Sequence, residues 1–157
     1  VTDQPGGLMS DFLFNQVDIG SEVIYKGPMG MFTLPEEIDR DLFLVCTGSG
    51  ISPFRSMVKF LTNNNISTKN IHLYFDELKE LEKINPNFNY HIALSRVDEE
   101  GFHNGYVHDI YLPLIKDLKD KPLFYLCGWR NMILDAKDNL SELGYKMVKD
   151  IKIEVYN

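Results

Sequence analysis

The chain is short of several things, and each shortage narrows what it can be. It has two cysteines, Cys46 and Cys127, and neither belongs to a CxxC pair, so a cysteine-bound metal has little support. Each ends an apolar run, which reads as two buried strand ends in a reducing compartment. No apolar segment approaches the roughly 20 residues needed to span a bilayer. No basic stretch followed by an apolar one marks a leader, and the expected location is cytoplasmic with no membrane span. Basic residues number 16 against 23 acidic ones, a net charge of −7. That disfavours nonspecific nucleic-acid binding, while leaving room for one local basic pocket that holds a phosphate. There is no internal repeat and no low-complexity tract. One further absence is local. The segment LVCTGSGISPFRS has the glycine pair Gly48 and Gly50 of a dinucleotide-binding turn, but Pro53 stands where the third glycine belongs.

What is present suits one ordinary core: 157 residues, of which 44% are apolar, 25% charged and 12% aromatic. From residue 42 onward, β-type and helix-type segments alternate. Leu42 to Cys46 is a continuous apolar run, as in a strand buried on both faces. Phe54, Met57, Val58 and Leu61 then form a helical stripe that Asn63-Asn64-Asn65 breaks. Strands are expected at Ile71 to Phe75, Tyr90 to Leu94, Pro122 to Cys127 and Ile151 to Tyr156. Helices are expected over Asp76 to Ile84, over Val107 to Ile115 and along Ile133, Ala136, Leu140 and Leu143, the last stopping at Gly144. The pattern predicts a five-stranded parallel doubly wound (Rossmann-like) sheet with helices on both faces. Residues 1–36 differ. They hold Gly6-Gly7, a short helical stretch, an alternating strand at Glu22 to Tyr25 and the turn Gly27-Pro28-Met29-Gly30, too little to bury a core alone.

In an open α/β sheet, ligands bind beyond the carboxyl ends of the strands. Thr47-Gly48-Ser49-Gly50 and Cys127-Gly128 both fall there, on strands expected to be neighbours where the strand order reverses. Gly48 and Gly50 would let the backbone approach a pyrophosphate, with a helix N-terminus behind it. Pro53 is tolerated in a first helical turn, which has no use for its missing N–H. The same glycines are equally consistent with a tight turn that needs φ > 0.

The motifs together resemble the ferredoxin–NADP⁺ reductase superfamily. TGSGISPFRS resembles the TGTGIAPFRS turn of that family, YLCGWRNM its CG-x-x-x-M segment, GGLMSDFL its GxxS flavin-pyrophosphate motif and KGPMGMFTL the GPxGxFxL that closes its flavin-binding barrel. Four motifs stand in the family's order over nearly the whole chain. The resemblance implies that Gly7, Leu8, Met9 and Ser10 hold the FAD pyrophosphate, although an ordinary helix capped by Ser10 would read the same. It implies that Thr47 lies between flavin and nicotinamide, and that Gly48, Ser49, Gly50 and Pro53 form the phosphate turn of the nicotinamide dinucleotide. Cys127 and Gly128 match the pair lining the nicotinamide side; without the resemblance Cys127 is plain core. Ser95 and Arg96 match the family's SR, which receives the adenosine 2′-phosphate, and the guanidinium fork suits phosphate oxygens. An arginine after a strand is otherwise a solvated turn residue. Arg130, Asn131 and Met132 match positions bordering the nucleotide, with a surface role for Arg130 and a core role for Met132 as the plain readings. Tyr156, next to the C-terminus in EVYN, matches an aromatic that stacks on the flavin, and ordinary sheet packing explains it equally well.

The resemblance therefore implies two parts, residues 1–36 as the end of an antiparallel FAD-binding barrel and 37–157 as an NAD(P)-binding domain. It implies hydride transfer from NADPH to FAD, NADH also being compatible, with electrons leaving to a ferredoxin-like, flavodoxin-like or oxygenase acceptor. Thr47, Cys127 and Tyr156 would be the catalytic residues, and no metal is expected. Two family features are absent from the sequence: the RxYS-type motif of the barrel, and the GxR segment after the second strand, where Tyr74-Phe75 passes directly to Asp76-Glu77. A chain of this kind that binds NAD(P)H without turnover, as a regulatory module, is the alternative.

Overall fold

The computed structural model describes residues 4–27, 29–64, 82–83 and 85–156, together with the backbone of 71–73. The chain divides into two compact units, 1–31 and 32–157. The second is an α/β unit. Side chains along a strand point alternately to opposite faces, and the sequence of β1 (Leu42–Cys46) is apolar at every position, so the strand has two faces to bury. Leu42, Leu44 and Cys46 enter one cluster, Phe43 and Val45 the other. β6 (Leu123–Trp129) repeats this, with Tyr125 and Cys127 on the first side and Phe124 and Leu126 on the second.

A helix covers each side. The stripe predicted for α2 (Ile51–Asn63) is buried at Phe54, Met57, Val58 and Leu61 against the first cluster. The other face is covered by α3 (His108–Lys116), through Tyr111 and Ile115, and α4 (Arg130–Glu142), through Met132, Ile133, Ala136 and Leu140. Gly144 ends α4 at φ +78°, with Tyr145 N–H donating to Leu140 O at 3.0 Å. Leu143, expected on the buried stripe, is 45% exposed because it lies past the last helical turn.

The sheet has five parallel strands in the order β3-β2-β1-β6-β7, where β2 is Ile71–Leu73, β3 Phe88–Tyr90 and β7 Ile151–Tyr156. The chain builds outward from β1 in one direction and then crosses to the other side at β6. The crevice between β1 and β6 is therefore the point where the order reverses. Of the helix expected at 76–84 only residues 82–83 are among the described residues, and they are helical; the rest of it and the end of the second strand lie outside them.

Two strands differ from expectation. The run predicted as one strand from Tyr90 to Leu94 is two: β3 ends at Tyr90, and β4 (Ala93–Leu94) leaves the sheet to pair in parallel with β5 (His103–Asn104). Apolar periodicity cannot register that break, because pairing with a distant segment causes it. β6 also continues through Gly128 and Trp129, which pair with Val155 and Tyr156 of β7. Cys127 and Gly128 are thus inside the last turn of a strand rather than just beyond it.

The first unit is built around α1 (Leu8–Asp11), which runs into a π-helical turn at Phe12–Gln16. Asn15 and Gln16 donate side-chain hydrogen bonds to the Asp11 carboxylate at 2.9 and 2.6 Å. Ser10 does not cap the helix. It is buried inside α1, and its Oγ accepts the Gln4 N–H at 2.9 Å. No strand forms over Glu22 to Tyr25, because a strand needs a ladder partner and the described residues of this unit offer none; Ile24 and Tyr25 are exposed. No helix among the described residues is long and apolar enough to cross a membrane.

Candidate functional site

At the β1/β6 crevice the two motifs are held together by backbone contacts. Thr47 N–H donates to Cys127 O at 3.2 Å, and Thr47 Oγ1 accepts the Trp129 N–H at 2.8 Å. Gly48–Gly50 forms one 3₁₀ turn, closed by Gly50 N–H to Thr47 O at 3.0 Å, and α2 starts directly after it. Two glycines permit this approach. A Cβ on Gly50 would run into the Cys127 carbonyl and come within 2.9 Å of Gly128 Cα, while Gly128 has φ +122° and a Cβ there would strike the Thr47 backbone.

No side chain caps the 3₁₀ turn or the start of α2; the Gly50 N–H is taken by Thr47 O and the Ile51 N–H by Gly48 O, and the N-terminus of this 13-residue helix stands at the strand ends. Pro53 is the third residue of α2, where no intrahelical N–H is lost.

Beside it lies a cavity of about 210 Å³ lined by Thr47, Ser95, Arg96, Tyr106, Trp129 and Met132, together with His108 and Asp135. The β4–β5 ladder assembles it. Gly105 N–H donates to Leu94 O at 3.0 Å, which holds Gly105-Tyr106 next to Ser95-Arg96. Tyr106 and Trp129 are 64% and 57% exposed, two aromatic surfaces available to a planar ligand. Arg130 and Asn131 begin α4 on the exposed side, whereas Met132 is buried and borders the cavity.

The reactive-looking groups are chemically quiet. Burial pushes the Cys127 thiol up to about 11, with the Tyr156 hydroxyl pulling it down and Glu154 pushing it further up. Cys46, the in-register neighbour of Cys127, is pushed up by burial to about 12. Tyr156 is also raised to about 12, chiefly by burial, with the neighbouring Cys127 raising it further. Cys127 is a neutral, fully buried thiol at pH 7, and not a nucleophile. Tyr156 packs against the cluster that contains Cys127.

The structure thus brings Thr47, Gly48, Ser49, Gly50, Pro53, Cys127, Gly128 and Tyr156 to one crevice, with Ser95, Arg96 and Met132 in the adjoining cavity. Gly7, Leu8, Met9 and Ser10 belong to the first unit, where Gly7 precedes a helix start without a side-chain cap. Sequence reasoning missed Tyr106, His108, Trp129 and Asp135 in the cavity wall, and Glu154, which pairs with Cys127 in register. The two-residue strands that deliver Tyr106 and His108 leave no periodic signal.

Residues 44–138 match the oxidoreductase NAD-binding domain family. The chain belongs to that family. The resemblance to the ferredoxin–NADP⁺ reductase superfamily accordingly holds, and the family is one of oxidoreductases. A component of the Na⁺-translocating NADH-quinone reductase of Klebsiella pneumoniae (its F subunit) is 28% identical across 100% of this chain and 40% of its own length. The electron transfer component of toluate 1,2-dioxygenase from Pseudomonas putida is 33% identical over 79% of this chain and 39% of its own. Among solved structures, a variant ferredoxin–NADP⁺ reductase from Plasmodium falciparum, with 2′P-AMP, is 28% identical at a TM-score of 0.69, covering 96% of this chain and 66% of that one. The chain thus spans about two fifths of the curated relatives it matches.

Proposed function

We propose that the chain presents a reduced nicotinamide dinucleotide to FAD, so that hydride passes from the nicotinamide to the flavin. The observation that carries this reading is the uncapped Gly48–Gly50 cradle, fixed against Cys127 and Gly128 where the strand order reverses and opening beside the Ser95–Arg96 cavity. In this reading the glycine turn and the start of α2 hold the diphosphate, and Ser95, Arg96 and Tyr106 receive the adenosine end. Met132 walls that cavity, and Arg130 and Asn131 border the nucleotide from the start of α4.

Thr47 then lines the nicotinamide position, and the fully buried Cys127 packs behind it. Thr47 Oγ1 is already an acceptor for Trp129 N–H, which leaves its own proton free to donate. Cys127, kept neutral, excludes water without competing for the hydride. Tyr156 holds the thiol from the far side, and Glu154 adds a carboxylate at the same row. Gly7, Leu8, Met9 and Ser10 would hold the FAD pyrophosphate at the uncapped start of α1. FAD, when bound, takes up two electrons as hydride and returns them singly. A ferredoxin-like, flavodoxin-like or oxygenase component is the acceptor this chemistry calls for. The relatives named as part of a quinone reductase and as an oxygenase's electron transfer component support such a role.

Arg96 is the group that would favour NADPH, and a reductase solved with 2′P-AMP supports a 2′-phosphate there. The relative named for NADH supports the other dinucleotide. The test is the visible spectrum of the purified chain with and without added FAD, followed by anaerobic addition of NADH and NADPH. Flavin absorbance that bleaches with either nucleotide is expected. Saturable dinucleotide binding with no flavin binding would sink hydride transfer and leave a non-catalytic NAD(P)H-binding module.

A further inference from the structure

The cavity beside the glycine turn carries two opposite charges that do not neutralise each other. Arg96 and Asp135 both line it, yet among the described residues they form no ion pair. Asp135 reaches the cavity from α4, one helical turn after Met132, and Met132 is the buried residue that fixes this turn against the core. Arg96 reaches the same cavity from the segment just after β4. The third ionisable neighbour is His108, half-buried, whose Nδ1 lies 3.0 Å from the Tyr111 hydroxyl. Burial holds it below the usual histidine range against the pull of Asp135 and Asp109, so it adds no cation at neutral pH. The wall therefore offers one guanidinium and one carboxylate to whatever enters.

We propose that Asp135 sets the preference between the two nicotinamide dinucleotides, opposing Arg96 in the shared cavity and favouring the ribose 2′-hydroxyl of NADH over the 2′-phosphate of NADPH. The proposal rests on the dinucleotide reading given above and goes one step further, to the phosphorylation state of the substrate. A 2′-phosphate has only acceptor oxygens and a charge near −2. It gains from the Arg96 fork but is repelled by Asp135 across a cavity only about 210 Å³ in volume. A 2′-hydroxyl can donate to the Asp135 carboxylate and accept from Arg96, which uses both groups. Ser95 and Arg96 by themselves point to NADPH; Asp135 offsets that preference.

The test uses equilibrium dialysis or calorimetry with two probes that differ only at the ribose 2′ position, AMP and adenosine 2′,5′-bisphosphate, and so needs no flavin. Wild type is expected to bind AMP at least as tightly as the bisphosphate. Asp135→Asn should raise bisphosphate affinity about tenfold relative to AMP, the order of magnitude for removing one like charge from the cavity wall. Asp135→Glu should keep the wild-type ratio, and Arg96→Gln should weaken the bisphosphate selectively. Asp135 is exposed, so these changes leave the core untouched. An unchanged ratio in Asp135→Asn, or a wild type that prefers the bisphosphate tenfold, overturns the role of Asp135 while leaving the dinucleotide site standing. Binding of neither probe by wild type overturns the dinucleotide reading itself, and this proposal with it.

Discussion

Replacing Gly50 with alanine puts the packing of the glycine turn to a direct test. The added methyl would meet the carbonyl of Cys127 and, at 2.9 Å, the Cα of Gly128, all backbone of a strand bonded on both sides. Backbone cannot swing away as a side-chain tip does, so the turn and the first residues of α2 must lift off β6. Overpacking of this kind costs about 1–3 kcal/mol, and we expect the upper end, since Cys127 and its neighbours are fully buried. For a chain of this size that corresponds to a fall in Tm of roughly 4–12 °C. Displacing the cradle should also weaken ADP binding by about tenfold, or about 1.4 kcal/mol. Gly48→Ala is the matched control. Gly48 has φ +52° with nothing within 4 Å of the added atom, so only the left-handed backbone penalty of about 1–2 kcal/mol applies. Thermal melts and calorimetric titrations of the three chains decide the matter. A Gly50→Ala chain that melts with wild type and binds ADP equally well refutes the reasoning.

Three further outcomes are expected. Val148 is held at φ +69° although it is β-branched and 82% exposed, so Val148→Gly should stabilise the chain by about 1 kcal/mol in urea unfolding; no gain would show that the turn before β7 stores no strain. Burial alone would raise the Asp150 carboxyl, but the Lys146 N–H and the Arg40 guanidinium at 2.9 Å hold it below the usual range. That stability is present above the unfolded carboxyl value and is lost as pH falls through the native one, so Asp150→Asn should cost about 3 kcal/mol near pH 7 and flatten the acid limb of the stability curve. An unchanged acid limb contradicts the assignment. With Cys127 near 11 and Cys46 near 12, the thiolate fraction at pH 8 is about 0.1% or less, and both thiols should resist a disulfide reagent in the native chain and react at once in denaturant. Rapid native labelling of Cys127 would remove the case for a neutral thiol.

Legibility in the sequence followed a physical rule. β1, β7, α2 and α4 could be read because each buries a face whose spacing is fixed by its own geometry, as at Phe54, Met57, Val58 and Leu61. The glycine turn was legible from its residues, and its partner Cys127-Gly128 from the second strand end. The break between Tyr90 and Ala93 was not, because pairing with His103–Asn104 decides it. The extension of β6 through Trp129 depends likewise on β7 being long enough to accompany it. Glu22 to Tyr25 alternates like a strand, yet alternation supplies a face and no hydrogen-bond partner. Asp135 was invisible for another reason: an acidic residue on the outer side of a helix looks like any solvated one until the other residues lining the cavity are known.

The central claim is that a nicotinamide dinucleotide lies at the β1/β6 crevice, and the chain's one tryptophan stands there, tied to Thr47. NADH absorbs where indole emits, so titrating the chain with NADH while exciting Trp129 reads occupancy of that crevice directly. The account predicts saturable quenching of the indole, accompanied by sensitised nicotinamide emission, with the midpoint moved to higher concentration in Gly50→Ala. A loss of emission that stays linear with NADH and never saturates would contradict it.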